Sequence, residues 1–221
     1  MIQIEQTADG SQTLFVPELN EHYHSVKGAL TESEHIFIRM GLEHSSAESP
    51  HILEIGFGTG LNAFLTLLAA DKMQKSIHYT TLERYPVSQE LIRQLTYPEL
   101  ICPERATDFQ ALHQANWNTD VRQTPYFTLY KVETDFTSYT FPNTYDVIYF
   151  DAFAPEKQPE MWTQPLFDTL YRQLNSQGIL TTYCAKGAVR RMLQAAGFTV
   201  ERLPGPPGGK REILRATKEK K

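Results

Sequence analysis

Apolar positions along this chain fall into short runs broken by polar, glycine or proline punctuation. Their lengths and spacing predict the elements. Residues 1–49 carry the weakest pattern. "TADGSQTLFVPELNEHYHS" reads as a glycine-containing turn and a short β-like piece, and "LTESEHIFIRMGLEH" as a helix. In that helix Thr31 is the expected N-cap, with Glu34 three residues on, the capping-box arrangement. From residue 50 the pattern becomes strand, loop, helix, repeated. "HILEIGF", "SIHYTTLE", "YFTLYKVE", "YDVIYFD" and "GILTTYC" read as strands. "LNAFLTLLAADKM", "PVSQELIRQL" opened by Pro86, "MWTQPLFDTLYRQL" with Pro165 in its first turn, and "KGAVRRMLQAAG" closed by Gly197 read as helices. Residues 97–124 show no clear period and read as helix pieces and an insertion. "FTVERL" and "REILRAT" flank the turn "PGPPGGK" and predict an antiparallel pair at a sheet edge.

Strands alternating with helices imply a parallel sheet with crossover helices. The expected architecture is an α/β, Rossmann-like, mostly parallel sheet of about seven strands. Residues 50–217 form its core domain, and residues 1–49 are an N-terminal extension packing on it. The 221 residues suit one domain, and a 41% hydrophobic content supplies its core. No apolar run approaches the ~20 residues of a membrane span. The N-terminus lacks the basic start and apolar stretch of a secretory signal. Cys102 and Cys184 show no metal-type spacing. These readings predict a reduced, cytoplasmic setting with no metal and no membrane partner.

Charge complicates the choice of partner. The net charge of −5 argues against nucleic acid, yet from Lys186 onward ten basic residues face three acidic ones. The last four residues read equally as a solvated tail.

Chemistry enters at "LEIGFGTGLN". Glu54 ends a strand, and Gly56, Gly58 and Gly60 turn the chain into a helix, with Asn62 in its first turn. Glycines there allow positive φ and close approach to a ligand, and the helix start offers N–H donors. No Lys-Ser/Thr follows, which excludes a phosphate-binding P-loop. The G-x-G-x-G spacing after an acid is the pattern of class I S-adenosylmethionine methyltransferases; the alternative is a purely structural turn. Glu83 ends the next strand, where a carboxylate can hold a ribose diol; otherwise it is a surface acid. Asp135 follows a later strand and is expected near the adenine amino group, or serves as a helix N-cap. Asp151 ends "YDVIYF" and opens "DAFAPEKQPEMW", so it is expected to face the transferred methyl, with an N-cap as the alternative. Phe153 and Trp162 are candidates to stack on a base, and Pro155 and Pro159 to stiffen the loop.

Taken together, "EIGFGTGLN", "LERYP", "DAFAPEKQPEMWTQPLF", "GAVRRMLQAAGF" and "GGKREIL" resemble the methyltransferase domain of the bifunctional MnmC family, from about residue 10 to 216. "ELNEHYHSVKGALTESEHIFI" resembles that family's segment ahead of the glycine loop. The resemblance implies S-adenosylmethionine-dependent N-methylation of 5-aminomethyl-2-thiouridine at the tRNA wobble position. Because the chain ends at Lys221, the expected form is the stand-alone, MnmD-like one, without FAD or its oxidase domain. Separate enzymes would then supply the aminomethyl precursor. Two departures stand out. Tyr23-His24-Ser25 replaces a common Tyr-Phe-Ser, and Ala152 replaces a common glycine. Asp151 and Phe153 are the catalytic candidates. Glu54, Gly56, Gly58, Gly60, Asn62, Glu83, Asp135 and Asp151 are the cofactor candidates. Tyr23, Ser25 and Trp162 are expected at the base of the anticodon loop, and Arg190, Arg191, Lys210 and Arg211 on its phosphates. Competing readings are a class I methyltransferase acting on a small amine, a cofactor-sensing module without turnover, and a nicotinamide dehydrogenase.

Overall fold

The computed structural model describes residues 2–220; Met1 and Lys221, the last of the ten basic residues counted above, lie outside the described residues. The chain opens with a small antiparallel sheet of β1 (Gln3–Gln6), β2 (Gln12–Val16) and β3 (Glu21–His22). Helix α1 (Ala29–Ser33) runs directly into a π-helical stretch, Glu34–Arg39. Thr31 lies inside α1 and does not cap it. Its N–H and hydroxyl both donate to Asp9 Oδ2 at 2.8 Å, and Glu34 pairs with Arg39. Asp9, from the β1–β2 turn, thus takes a free donor of the helix start and displaces the capping box.

The main sheet comprises β4 (His51–Ile55), β5 (Ile77–Glu83), β6 (Asp120–Thr124), β7 (Phe127–Glu133), β8 (Tyr145–Phe150), β9 (Leu174–Thr182), β10 (Thr199–Pro204) and β11 (Glu212–Thr217). Their order is β10-β11-β9-β8-β4-β5-β7-β6. The five central strands are parallel, and β6, β11 and β10 join antiparallel at the edges. The sheet therefore has eight strands, one more than the sequence predicts. The extra strand, β6, is an edge strand of mostly polar residues with no apolar run to announce it. Helices α2 (Leu61–Met73), α3 (Gln89–Ile92), α4 (Tyr97–Ile101), α5 (Ala106–Gln114), α6 (Gln164–Gln173) and α7 (Gly187–Ala196) make the crossovers. Pro86 precedes α3, whose cap is Ser88.

Strand alternation divides the core between the two sheet faces. Ile52, Tyr79 and Tyr149 pack with Phe64 of α2, Phe109 of α5 and, from the N-terminal segment, Leu14, Ile36 and Phe37. Leu53, Ile55 and Phe150 pack on the other face with Trp162, Phe167 and Leu193. Each fully buried large side chain contributes roughly 1.5–3 kcal/mol. In a doubly wound sheet, ligands lie beyond the carboxyl ends of the strands where the order reverses. Here that point lies between β4 and β8. The chain ends there are tied together: Asp151 N–H donates to Ile55 O at 3.3 Å and Gly56 N–H to Leu82 O at 2.9 Å.

Candidate functional site

The glycine loop sits at that switch point. Gly56, Gly58 and Gly60 all have positive φ, at 93°, 50° and 73°. Space excludes side chains as well. A Cβ on Gly58 would stand 2.9 Å from Tyr23 Cδ1, and one on Gly60 2.6 Å from His113 Nε2. The loop is thus packed from behind by His113 of α5 and covered by Tyr23 of the N-terminal segment. His113 Nε2 also lies 3.1 Å from Thr59 O. Burial, with the nearby Lys131 adding to it, pushes His113 down to about 3, so its ring is neutral at physiological pH.

Glu83 leaves β5 beside this loop. Its Oε2 accepts the Gly58 N–H at 3.0 Å and its Oε1 the Tyr85 N–H at 2.7 Å. Each oxygen keeps lone-pair capacity for a further donor, as a ribose diol requires. Asp135, beyond β7, caps a short 3-10 turn, as one of its two sequence readings expects, and also lines the same cavity. Hydrogen bonds from the Thr137 hydroxyl and backbone N–H lower its pKa, and Arg84 pairs with it at 2.8 Å. Gly56, Gly58, Asn62, Glu83, Asp135 and Asp151 line one continuous cavity, whereas Gly60 does not reach it. Strand-end acids at one end and close-approach backbone at the other fit a nucleoside-bearing cofactor of the S-adenosylmethionine type.

Glu54 does not line this cavity. Strand alternation turns it into the core, where it is fully buried. Thr81 Oγ1 donates to its Oε2 at 2.7 Å, and the Tyr79 and Asn62 side chains stand beside the carboxyl. Burial raises its pKa well above the usual carboxylate range, Thr81 opposing and Asp151 adding to the rise. This corrects the expectation that Glu54 contacts the cofactor.

Asp151 stands where two cavities meet. Asn62 Nδ2 donates to its Oδ2 at 2.8 Å. Burial raises its pKa to about 7; Asn62 works against the rise, Glu32 adds to it and Lys210 opposes it. Tyr23, His24, Asp151, Ala152 and Phe153 line both cavities. Phe153 meets Tyr23 edge-on, with ring centres 5.0 Å apart. The second cavity continues past Ser25, Glu32 and Tyr183 to Lys210.

Other expected substrate residues lie elsewhere. Trp162 lines neither cavity: it is buried against Phe150, and its Nε1–H donates to Phe153 O at 2.8 Å. It shapes the loop and presents no face to a base. Lys210 is exposed but paired, 2.8 Å from Glu32 Oε2, and so is not a free surface cation. Arg190, Arg191 and Arg211 line neither cavity; the latter two are exposed, and Arg190 Nε is buried without a partner.

His24, Glu32 and Tyr183 escape the sequence reading. His24 Nε2 sits 2.7 Å from Thr59 Oγ1, joining the N-terminal segment to the glycine loop. Burial pushes its pKa down to about 4, with Glu32 opposing. The Tyr-His-Ser departure is the one signal that marks it: a polar ring needs a partner in a place otherwise suited to phenylalanine. Glu32 and Tyr183 have no such signal. Among the described residues, no group of three His, Cys, Asp or Glu side chains is placed to hold a metal ion, and no helix is long and apolar enough to cross a membrane.

Residues 115–219 match the family model of S-adenosyl-L-methionine-dependent methyltransferases. The chain is 33% identical over 215 residues to the tRNA 5-methylaminomethyl-2-thiouridine biosynthesis bifunctional protein MnmC of Delftia acidovorans, covering 92% of this chain and 33% of that one. The MnmC of Aeromonas hydrophila is 31% identical, with 92% and 34% covered. The chain thus spans about a third of the length of the curated relatives it matches. Among solved structures, MNMC2 from Aquifex aeolicus superposes with a TM-score of 0.75 at 24% identity, over 100% of this chain and 72% of that one. Spermidine synthase from Thermotoga maritima gives 0.59 at 16%, over 100% and 74%. Both likenesses concern the fold.

Proposed function

We propose that this chain is an S-adenosyl-L-methionine-dependent methyltransferase that methylates the primary amine of 5-aminomethyl-2-thiouridine at the wobble position of tRNA. The observation that carries this reading is Asp151, a carboxylate exposed to both cavities at once. The relatives' involvement in 5-methylaminomethyl-2-thiouridine biosynthesis supplies the substrate class.

In this reading the glycine loop, Asn62, Glu83 and Asp135 hold the cofactor, whose sulfonium supplies a transferable methyl group. The chain's own task is to present a neutral amine. An alkylamine near its solution pKa of about 10 is mostly protonated at neutral pH. Asp151 orients the amine and accepts its proton. A carboxyl poised near pH 7 gives that proton up to water more readily than a strong base would, which suits repeated turnover. Phe153 and Tyr23 flank the point of transfer and offer rings for the uracil, a contact contributing about 1–3 kcal/mol. Ser25 lines the second cavity beside them. Arg190, Arg191 and Arg211 meet the anticodon-loop phosphates. The wobble base lies in a single-stranded loop, so extruding it costs less than flipping a base from a duplex. A cytoplasmic setting completes the proposal.

The test is methyl transfer from labelled S-adenosylmethionine to tRNA from cells lacking this gene, with the nucleoside identified by mass spectrometry. A gain of one methyl on 5-aminomethyl-(2-thio)uridine is expected. Cofactor binding without transfer to tRNA would instead favour a small amine, a reading that the acid-lined second cavity also accommodates.

A further inference from the structure

The second cavity holds a cation for which the proposed chemistry has no use. Lys210 Nζ lies 2.8 Å from Glu32 Oε2 and 4.3 Å from the centre of the Tyr183 ring. The Glu32 side chain is 8% exposed, that of Lys210 39%. A carboxylate this deep needs a partner of opposite charge. Its other oxygen, Oε1, accepts the Ser25 N–H at 3.2 Å. A fixed carboxylate with an aromatic face beside it is the arrangement that receives an alkylammonium: charge-assisted hydrogen bond on one side, cation–π contact on the other. The arrangement is also held in register with the reacting end of the cavity. The Tyr183 hydroxyl donates to the carbonyl of Ala152, the residue after Asp151, at 2.8 Å.

We infer that Glu32 and Tyr183 form the recognition site for the substrate's primary ammonium group, and that Lys210 occupies it until the substrate arrives. The inference rests on the proposed function and deepens it. The amine enters charged, is selected as a cation at Glu32, and reaches Asp151 through the cavity they share. Lys210 can withdraw because its ammonium sits on a flexible four-carbon stem and its side chain is 39% exposed, so it can swing to solvent without moving the turn that carries it. Nor is the ion pair needed to hold that hairpin against the N-terminal segment, since His35 Nε2 already meets Pro204 O at 2.9 Å. Selection by charge would reject the isosteric alcohol, which carries neither the positive charge nor the third donor.

Two anticodon-loop oligonucleotides separate the possibilities, one carrying 5-aminomethyluridine and one 5-hydroxymethyluridine. Binding is measured by titration in the presence of S-adenosylhomocysteine, so no turnover interferes. The parent protein should prefer the amine at least ten-fold. Glu32→Gln should bind the alcohol and S-adenosylhomocysteine as the parent does, yet lose the preference to within about two-fold. Glu32→Asp, which keeps the charge but withdraws it, should fall between. A Glu32→Gln protein that retains the full preference overturns the inference and leaves Glu32 as a structural partner of Lys210. A parent protein that fails to distinguish the two oligonucleotides overturns the proposed amine substrate itself.

Discussion

The two cavities that meet at Asp151 are built in different ways. The cofactor side is made of strand ends and the turn that follows β4, and its shape is fixed by backbone. Three positive-φ glycines, two N–H donors on Glu83 and the β4–β8 tie define it. The substrate side is made of side chains from distant parts of the chain. Its Glu32–Lys210 pair spans 178 residues of sequence. A backbone-built site is rigid and general, whereas a side-chain-built one can be retuned by single substitutions. The difference predicts that changes on the cofactor side weaken folding and binding together, and that changes on the substrate side alter selectivity alone.

Asp151 belongs to both sides, so its replacement tests the comparison hardest. Asp151→Asn should lower turnover by on the order of 10²–10⁴-fold, the range for a lost general base. Cofactor affinity, measured by calorimetry, should change little. In the parent, kcat/KM should rise with pH through the region of 7, where burial has placed this carboxyl. The stability effect has the opposite sense. The folded value of about 7 lies above the 3.8 of an unburied aspartate. Between pH 4 and 7 the native state therefore holds a proton that the unfolded chain has lost, and stability falls as pH rises through that window. Asp151→Asn should be more stable than the parent at pH 8, by roughly 1–3 kcal/mol, with the gap closing toward pH 4. Denaturant titrations at the two pH values check this, and a parallel pair of pH curves would refute it.

The next largest effect should come from the glycine loop. Gly58→Ala forces a side chain into φ 50° and against Tyr23 at 2.9 Å. Strain of this kind costs about 1–3 kcal/mol. The variant should melt lower and bind S-adenosylmethionine more weakly, both at once. Loss of one without the other would show that the loop is not the single backbone unit described here.

The contrast also explains what could be read before the structure. The glycine spacing, the acids at the ends of β5 and β8, and the strand–helix alternation are local signals, and Gly56, Gly58, Glu83 and Asp151 do line the first cavity. Glu54 misled because the motif shows an acid before the glycines but not that both faces of β4 are covered. Glu54 shares the face of Ile52, and Leu53 and Ile55 fill the other, so either parity would bury it. Trp162 misled for a similar reason: aromatics in a functional loop suggest stacking, yet Phe150 and Phe167 behind the loop claim the indole. β6 lacked an apolar run, and the Glu32–Lys210–Tyr183 cluster leaves no trace in any local window.

Trp162 gives a smaller, separable effect. Trp162→Phe keeps an aromatic ring in the core but removes the N–H that binds Phe153 O. The orphaned carbonyl should cost about 1–2 kcal/mol of stability. Since Trp162 reaches neither cavity, the affinity for an aminomethyl-bearing oligonucleotide should fall less than the affinity of a Phe153→Ala variant. The reverse order would restore the indole as a base-stacking residue.

The smallest effect tests whether the substrate side extends beyond its cavity. Arg191 and Arg211 are exposed and have no role in either cavity. If they neutralise phosphates, each contact contributes about 0.7–0.9 to the slope of log affinity against log salt. Single Arg→Ala variants should therefore bind tRNA less than ten-fold more weakly at moderate salt and each lower the slope by about one. The amine-over-alcohol preference assigned to Glu32 should stay unchanged, because phosphate contacts position a nucleic acid without reading its bases. Measured together, slope and preference would divide the substrate side into an electrostatic surface open to any tRNA and a pocket selective for the proposed amine. A slope that stays constant in both variants would confine recognition to the cavity and the residues around Asp151.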